Sequence, residues 1–371
     1  MALDLVRGLA IVVLVINHIH LESPLELGTR APISAAEVLV LVSGAVVGMV
    51  FGRRWLGCGA RATARLLLHR SVKLYLAALA VVALVSVLTV VPGLATEVLT
   101  VSPRRPDRDL YAFDGALPTL VAIVTLEAGP WQFNILGFFV AALAAAPVVL
   151  WALDRRGWPL VLLTSWGLYL LGRAWTADVL PSQSERPFPL LVWQVLFVHG
   201  MVLGWYRERI DRVLRARPGA VAALGVLFLA VALAGTAVRL RKLGLDPLGL
   251  DALLGLDGRE WARWQREHFS KTLLDPARIA AMVSATAALY LGLRRLGPLA
   301  ERALGPVLLP FGRNSFYVFI MHVFVCLGVA SVPRLAGDGL DPVGNTIVQL
   351  GCLALLWAMV RTGFLFRWVP R

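Results

Sequence analysis

Apolar residues along the chain gather into runs of roughly 15 to 20 that end at charged or polar positions, each long enough to cross about 30 Å of hydrocarbon at about 1.5 Å per residue. Lipid offers no partner for an open backbone group, so such runs must form helices or a closed barrel. Nothing alternates with the two-residue period of a barrel strand, which leaves helices. The pattern predicts membrane helices near Leu5 to Ile19, Ala35 to Phe51, Val72 to Val91, Ile135 to Leu153, Leu160 to Ala174, Leu190 to Trp205, Ala220 to Val238, Ile279 to Leu293, Phe316 to Val332 and Ile347 to Phe366. Leu117 to Leu126 is apolar but too short to span, and reads as a re-entrant or horizontal helix. With no internal repeat, residues 1–371 read as a single polytopic domain, an all-α integral membrane protein of about ten transmembrane helices.

Composition agrees with the pattern: 58% of the residues are hydrophobic, 16% are charged and the mean hydropathy is +0.74, outside the proportions of a soluble domain. The net charge of +13 would suit nucleic acid, but arginines at the ends of apolar helices account for it, and no nucleic-acid partner is expected. With the N-terminus in the cytoplasm, the inner segments hold 21 basic residues against five acids, a balance of +16. The remaining 15 basic and 18 acidic residues leave −3 outside. That positive-inside bias predicts a multi-pass protein of the cytoplasmic (inner) membrane with both termini cytoplasmic. Asn17, His18, Ile19 and His20 occupy the place where a signal-peptide cleavage site would need small residues, so the first segment reads as a permanent helix. Cys58, Cys326 and Cys352 have neither redox nor metal spacing, and no cluster of ligands implies a metal.

Ionisable residues are costly inside a membrane segment, which singles out His18, Glu37, Arg70 and His322. Arg7 and His18 are 11 residues apart, close to three helical turns, and so share one face about 16 Å apart in height. Arg7 reads either as a positive-inside anchor or as part of a site, and His18 either as a hydrogen bond between helices or as a proton acceptor. Glu37 falls at the depth of His18 on the next helix, where it would either orient the imidazole, or cap or salt-bridge locally with Arg30. Arg70 and Lys73 are three residues apart at the bilayer's inner edge and point the same way, a placement suited to phosphates. His322 lies near mid-membrane and either lines a tunnel or bridges helices. Between Gly258 and Phe269, a helix would put Trp261, Trp264 and His268 on one side and Arg259, Arg263 and Arg266 on the other. Tryptophans there rest in the headgroup layer or stack on a sugar.

Several of these positions carry a resemblance. Asp4-Leu-Val-Arg7-Gly-Leu-Ala, the spacing from Arg7 to His18, and Ser34-Ala-Ala-Glu37-Val-Leu-Val-Leu-Val-Ser43-Gly44 resemble OpgC-type proteins of the acyltransferase-three superfamily. Arg70-Ser-Val-Lys73-Leu-Tyr75 is similar to that superfamily's Arg-x-x-Arg motif, with lysine in place of the second arginine. Gly312-Arg-Asn-Ser315-Phe-Tyr317-Val-Phe-Ile-Met-His322 resembles its Gly-x-x-Ser-Tyr-x-x-Tyr-Leu-x-His signature. Gly129-Pro-Trp131-Gln-Phe-Asn134 looks like the segment opening its central helix.

The resemblance implies a ten-helix acyltransferase-three arrangement, an acyl-coenzyme A (acyl-CoA) donor bound from the cytoplasm, and a hydroxyl acceptor on an extracytoplasmic glycan or glycolipid. OpgC-type proteins are associated with succinylation of periplasmic glucans, and acetyl is the alternative group. The expected enzyme is therefore a membrane O-acyltransferase. His18 and Glu37 would be its catalytic pair, and Arg7, Arg70, Lys73, Tyr75 and His322 would hold the donor. Trp131, Asn134, Trp261 and Trp264 would meet the acceptor. The lipid bilayer is the expected partner, with a homo-oligomer left open. The rival readings are a proton-coupled transporter of small molecules using the same ionisable residues, and a catalytically silent partner of other envelope enzymes.

Overall fold

The computed structural model describes residues 1–19, 21–29, 33–102, 105–175, 187–217, 267–335 and 340–369, with isolated positions between 219 and 264. Its helices are α1 (Ala2–Ile19), α2 (Pro24–Thr29), α3 (Ala35–Val46), α4 (Gly52–Cys58), α5 (Ala60–Leu88), α6 (Glu97–Thr100), α7 (Ala116–Val124), α8 (Leu136–Asp154), α9 (Trp158–Ala174), α10 (Leu190–Trp205), α11 (Arg207–Ala216), α12 (Pro276–Arg313), α13 (Ser315–Ala330) and α14 (Pro342–Thr362). A π-helical turn, Val47–Phe51, runs α3 into α4. A short antiparallel pair, β1 (Val101–Ser102) and β2 (Arg105–Asp109), lies between α6 and α7. The apolar segment expected to be too short to span forms α7, nine residues long.

Among the described residues, six helices are long and apolar enough to cross a membrane: α1, α3 with α4, α5, α8 with the turn before it, α12 and α14. The pair α10 and α11, bent by 79°, makes a seventh if the two form one span. The protein is thus a helical, multi-pass membrane protein, but the ten crossings expected from hydropathy are not reached among the described residues. Most of the expected helix from Ala220 to Val238 lies outside them. At 17 and 16 residues, α9 and α13 fall short of the roughly 20 that lipid-facing helices need. For α13 the reason is its place: eleven of its residues are buried, so protein rather than lipid surrounds most of it and its length need not match the bilayer.

Two features of the sequence bring helices to backbone contact. Gly44 and Gly48 on α3 and its π turn face Gly200 and Gly204 on α10, so carbonyl oxygens of each helix sit where a Cβ of the other would be. Small residues spaced by four are the usual means of close approach in lipid, where apolar side chains gain nothing over lipid tails. The same device joins α1 to α12. A Cβ on Gly8 would lie 2.1 Å from the Leu308 carbonyl oxygen, and one on Gly312 would lie 1.9 Å from that of Asp4.

That second contact depends on a kink. The membrane helix expected to end near Leu293 continues to Arg313, broken at Gly297, where φ is +42° and Pro298 follows. Only glycine adopts such a backbone cheaply. The kink redirects residues 298–313 onto the N-terminal half of α1, with Leu5, Val6, Ala300 and Leu308 sharing one apolar cluster. Within this stretch Pro310 lacks the N–H that would serve the Pro306 carbonyl, and the Trp357 indole of α14 donates to it instead at 2.9 Å.

Candidate active site

The α1–α12 contact sets the position of α13. Gly312 ends α12 against Asp4, Asn314 makes the turn, and α13 leaves alongside α1. Two stretches more than 300 residues apart in sequence are therefore matched at both ends. At one end an Arg7 Nη1–H donates to the Gly312 carbonyl at 3.3 Å. At the other, His18 Nδ1 and His322 Nε2 lie 2.9 Å apart. The thiol of Cys326, one turn further along α13, donates to the His18 carbonyl at 3.4 Å.

The partners fix the tautomers. His322 Nδ1 is 2.6 Å from the Phe319 carbonyl oxygen, which can only accept, so this nitrogen carries a proton. A neutral His322 then offers a lone pair at Nε2, and His18 must donate to it from Nδ1. For a neutral His18 the remaining lone pair falls on Nε2. Proton uptake there makes an imidazolium whose Nδ1–H already points at His322, which in turn points at a carbonyl dipole. His322 thus occupies the place relative to His18 that a carboxylate holds in a hydrolase triad.

Aromatic rings frame the pair. The Trp131 ring meets that of His18 edge-on, with centroids 5.0 Å apart, and its indole N–H is tied to the Val98 carbonyl at 2.9 Å. Phe319, one turn before His322, stacks on Phe133 at 5.3 Å. Trp131 and Phe133 belong to one 3-10 turn, and Asn134 closes it through a backbone bond to the Trp131 carbonyl. The Gly129–Asn134 segment therefore supplies a wall of the site.

Glu37 sits elsewhere than expected. It is fully buried at the start of α3, but its carboxylate accepts from the Ser34 backbone N–H and from Arg278 Nε. Arg278, in the first turn of α12, also donates to the Phe269 carbonyl at 3.1 Å. Its bond to the Ser34 N–H makes the local helix cap that was the alternative reading. Glu37 faces α12 and pairs with a residue 241 positions away rather than with the imidazole, and Arg30 lies outside the described residues.

The remaining candidates are dispersed. Arg70 and Lys73 are exposed on α5, with the Arg70 guanidinium 5.1 Å from the centre of the Phe51 ring. Tyr75 turns to another neighbour, its hydroxyl donating to the Val124 carbonyl of α7 at 2.7 Å. Arg7 keeps a buried Nε–H without a partner among the described residues. Trp264 is exposed and stacks on His268 at 5.2 Å, whereas Trp261 lies outside the described residues. Sequence reasoning missed Arg278. Its one local signal is Asp275-Pro276, which marks a helix start and puts Arg278 inside the first turn.

These features define a class: a multi-pass membrane protein that closes a histidine pair inside its helices. A family model described as OpgC protein matches residues 1–368, and the chain belongs to that family. Membership points to an acyl-modifying membrane enzyme of osmoregulated glucan synthesis. Neither curated proteins nor solved structures yield a match. Among the described residues no group of three or more potential ligands could hold a metal ion.

Proposed function

We propose that this protein is a membrane O-acyltransferase that takes an acyl group, succinyl or acetyl, from cytoplasmic acyl-CoA and places it on a hydroxyl of an extracytoplasmic glycan or glycolipid. The observation that carries the reading is the His18–His322 pair, whose bonding leaves the His18 lone pair on Nε2. His18 Nε2 takes the proton of the acceptor hydroxyl as its oxygen bonds to the thioester carbon. The carbon–sulfur bond breaks, and the proton passes from the imidazolium to the departing thiolate. His322 stabilises the charged ring, and Trp131 and Asn134 border the acceptor.

The Arg7 end of α1 then faces the cytoplasm, as the positive-inside balance requires, and the chain threads an inner membrane in about ten crossings with both termini inside. The donor's phosphates fit the cations at that end. Arg70 and Lys73 are exposed, and Arg7 holds an N–H in reserve for an acceptor. Trp264, with its stacked His268, offers a sugar-binding face. Mass spectrometry of envelope glycans from cells with and without the gene tests the reading. Acyl substituents should vanish with the gene, return with the wild-type chain, and stay absent with His18→Ala. Identical glycans in all three strains would refute it.

A further inference from the structure

Outside the pair itself, an unusual cluster of buried polar side chains in the bundle lies on α14. Gln349 is wholly buried, and its amide serves two neighbours. Ser23 Oγ–H donates to Gln349 Oε1, and Gln349 Nε2–H donates to the Leu21 carbonyl at 2.9 Å. One turn earlier, Asn345 Nδ2–H donates to the Glu22 carbonyl at 2.9 Å. Three consecutive residues, Leu21, Glu22 and Ser23, are thus gripped from one helix. Ser23 Oγ also accepts the Glu26 N–H at 3.0 Å at the start of α2. At the other end of α2, Thr29 Oγ1–H donates to Asn17 Oδ1 at 2.8 Å. That bond ties α2 to the last turns of α1, next to His18.

A bond that merely glued two helices together would join their side chains anywhere along the contact. Here the bonds go to the segment that follows His18 within five residues, and two of the three go to its backbone. They fix the direction in which the chain leaves α1, whose last turn lacks intrahelical partners for its carbonyls. The His18–His322 bond at 2.9 Å tolerates little rotation of that turn, because hydrogen bonds weaken steeply off line. We infer that Gln349, assisted by Asn345, is a positioning residue for His18, held on α14 so that the end of α1 presents the imidazole to His322.

The inference rests on reading His18 as the base, and the test separates the two. The full-length protein in lipid nanodiscs is measured for kcat and for the KM of acyl-CoA, and the protonated ring nitrogens are read by NMR with ¹⁵N-labelled histidine. Gln349→Leu should lower kcat about ten- to a hundred-fold, the scale of a small misplacement of reacting groups. Donor KM should stay within about twofold, and the signal of a proton on His18 Nδ1 should weaken. Gln349→Glu, whose acid form can donate to Leu21 and accept from Ser23, should recover most of both. A merely structural amide would change the amount of folded protein but neither kcat nor the signal, and wild-type values of both in Gln349→Leu overturn the proposal. If that variant does not fold, Asn345→Leu carries the test, with a smaller fall expected and wild-type values again decisive against it. Should His18→Ala transfer acyl groups at the wild-type rate, the base reading fails, and the ¹⁵N signal alone then decides whether Gln349 positions the ring.

Discussion

Two polar centres, the half-buried His18–His322 pair and the buried Glu37–Arg278 pair, are built from ionisable residues costly to place in a membrane, yet their bonding differs in kind. In the ion pair each carboxylate oxygen of Glu37 already accepts an N–H, one from Ser34 and one from Arg278. Such a pair ties α3 to α12 and has nothing to exchange. The histidine pair joins α1 to α13 through a hydrogen bond between two rings. A costly intramembrane group therefore announces a role of some kind, and its partner tells which: a carboxylate matched by a guanidinium holds the fold, and a ring bonded to a second ring suits proton transfer.

The comparison can be broken most forcefully at the ion pair. Arg278→Ala leaves the Glu37 carboxylate buried without its cation, and loss of one partner of such a pair typically costs about 3–5 kcal/mol. Thermal unfolding in detergent should show this, and an unshifted midpoint would mean the pair is not buried in the membrane-embedded protein. The histidine pair should respond in rate rather than stability. His322→Phe keeps a ring in place but removes the acceptor of the His18 proton, and turnover of a labelled acyl donor should fall about a hundred-fold, or roughly 2.7 kcal/mol, with the protein still folded. Turnover within twofold of wild type would make His322 a packing residue. The smallest effect is expected at the exposed cations of α5. Arg70→Ala with Lys73→Ala should raise the KM for acyl-CoA by about tenfold and leave kcat alone, as loss of ground-state binding does. An unchanged KM would remove both from the donor site.

Hydropathy made the bundle legible because lipid imposes helices on apolar runs, and the spacing of Arg7 and His18 placed both on one face of α1. His322 stood out for the same reason, a costly ring in an apolar run. The pairings were another matter. Depth along a helix follows from counting residues, whereas which neighbour a side chain faces depends on how helices pack, and so Glu37 was assigned to the imidazole when Arg278 takes it. The path of residues 298–313 was hidden for a related reason. Gly297-Pro298 is a visible breaker, but the fold of that basic stretch onto α1 follows from backbone contacts at Gly8 and Gly312, 304 residues apart in sequence. Asn345 and Gln349, one turn apart in an apolar segment, were visible as polar residues, but their target was not.

The most direct test measures turnover per folded molecule, with a labelled acyl donor and purified protein, for His18→Gln beside Glu37→Gln. If the histidine centre is chemical and the carboxylate centre structural, His18→Gln should lower turnover about a hundred- to ten-thousand-fold at an unchanged folded fraction. Glu37→Gln should shrink the folded fraction, while the molecules that remain folded work within a few-fold of the wild-type rate. Wild-type turnover by His18→Gln, or a loss confined to Glu37→Gln among molecules shown to be folded, would contradict the division of roles between the two centres.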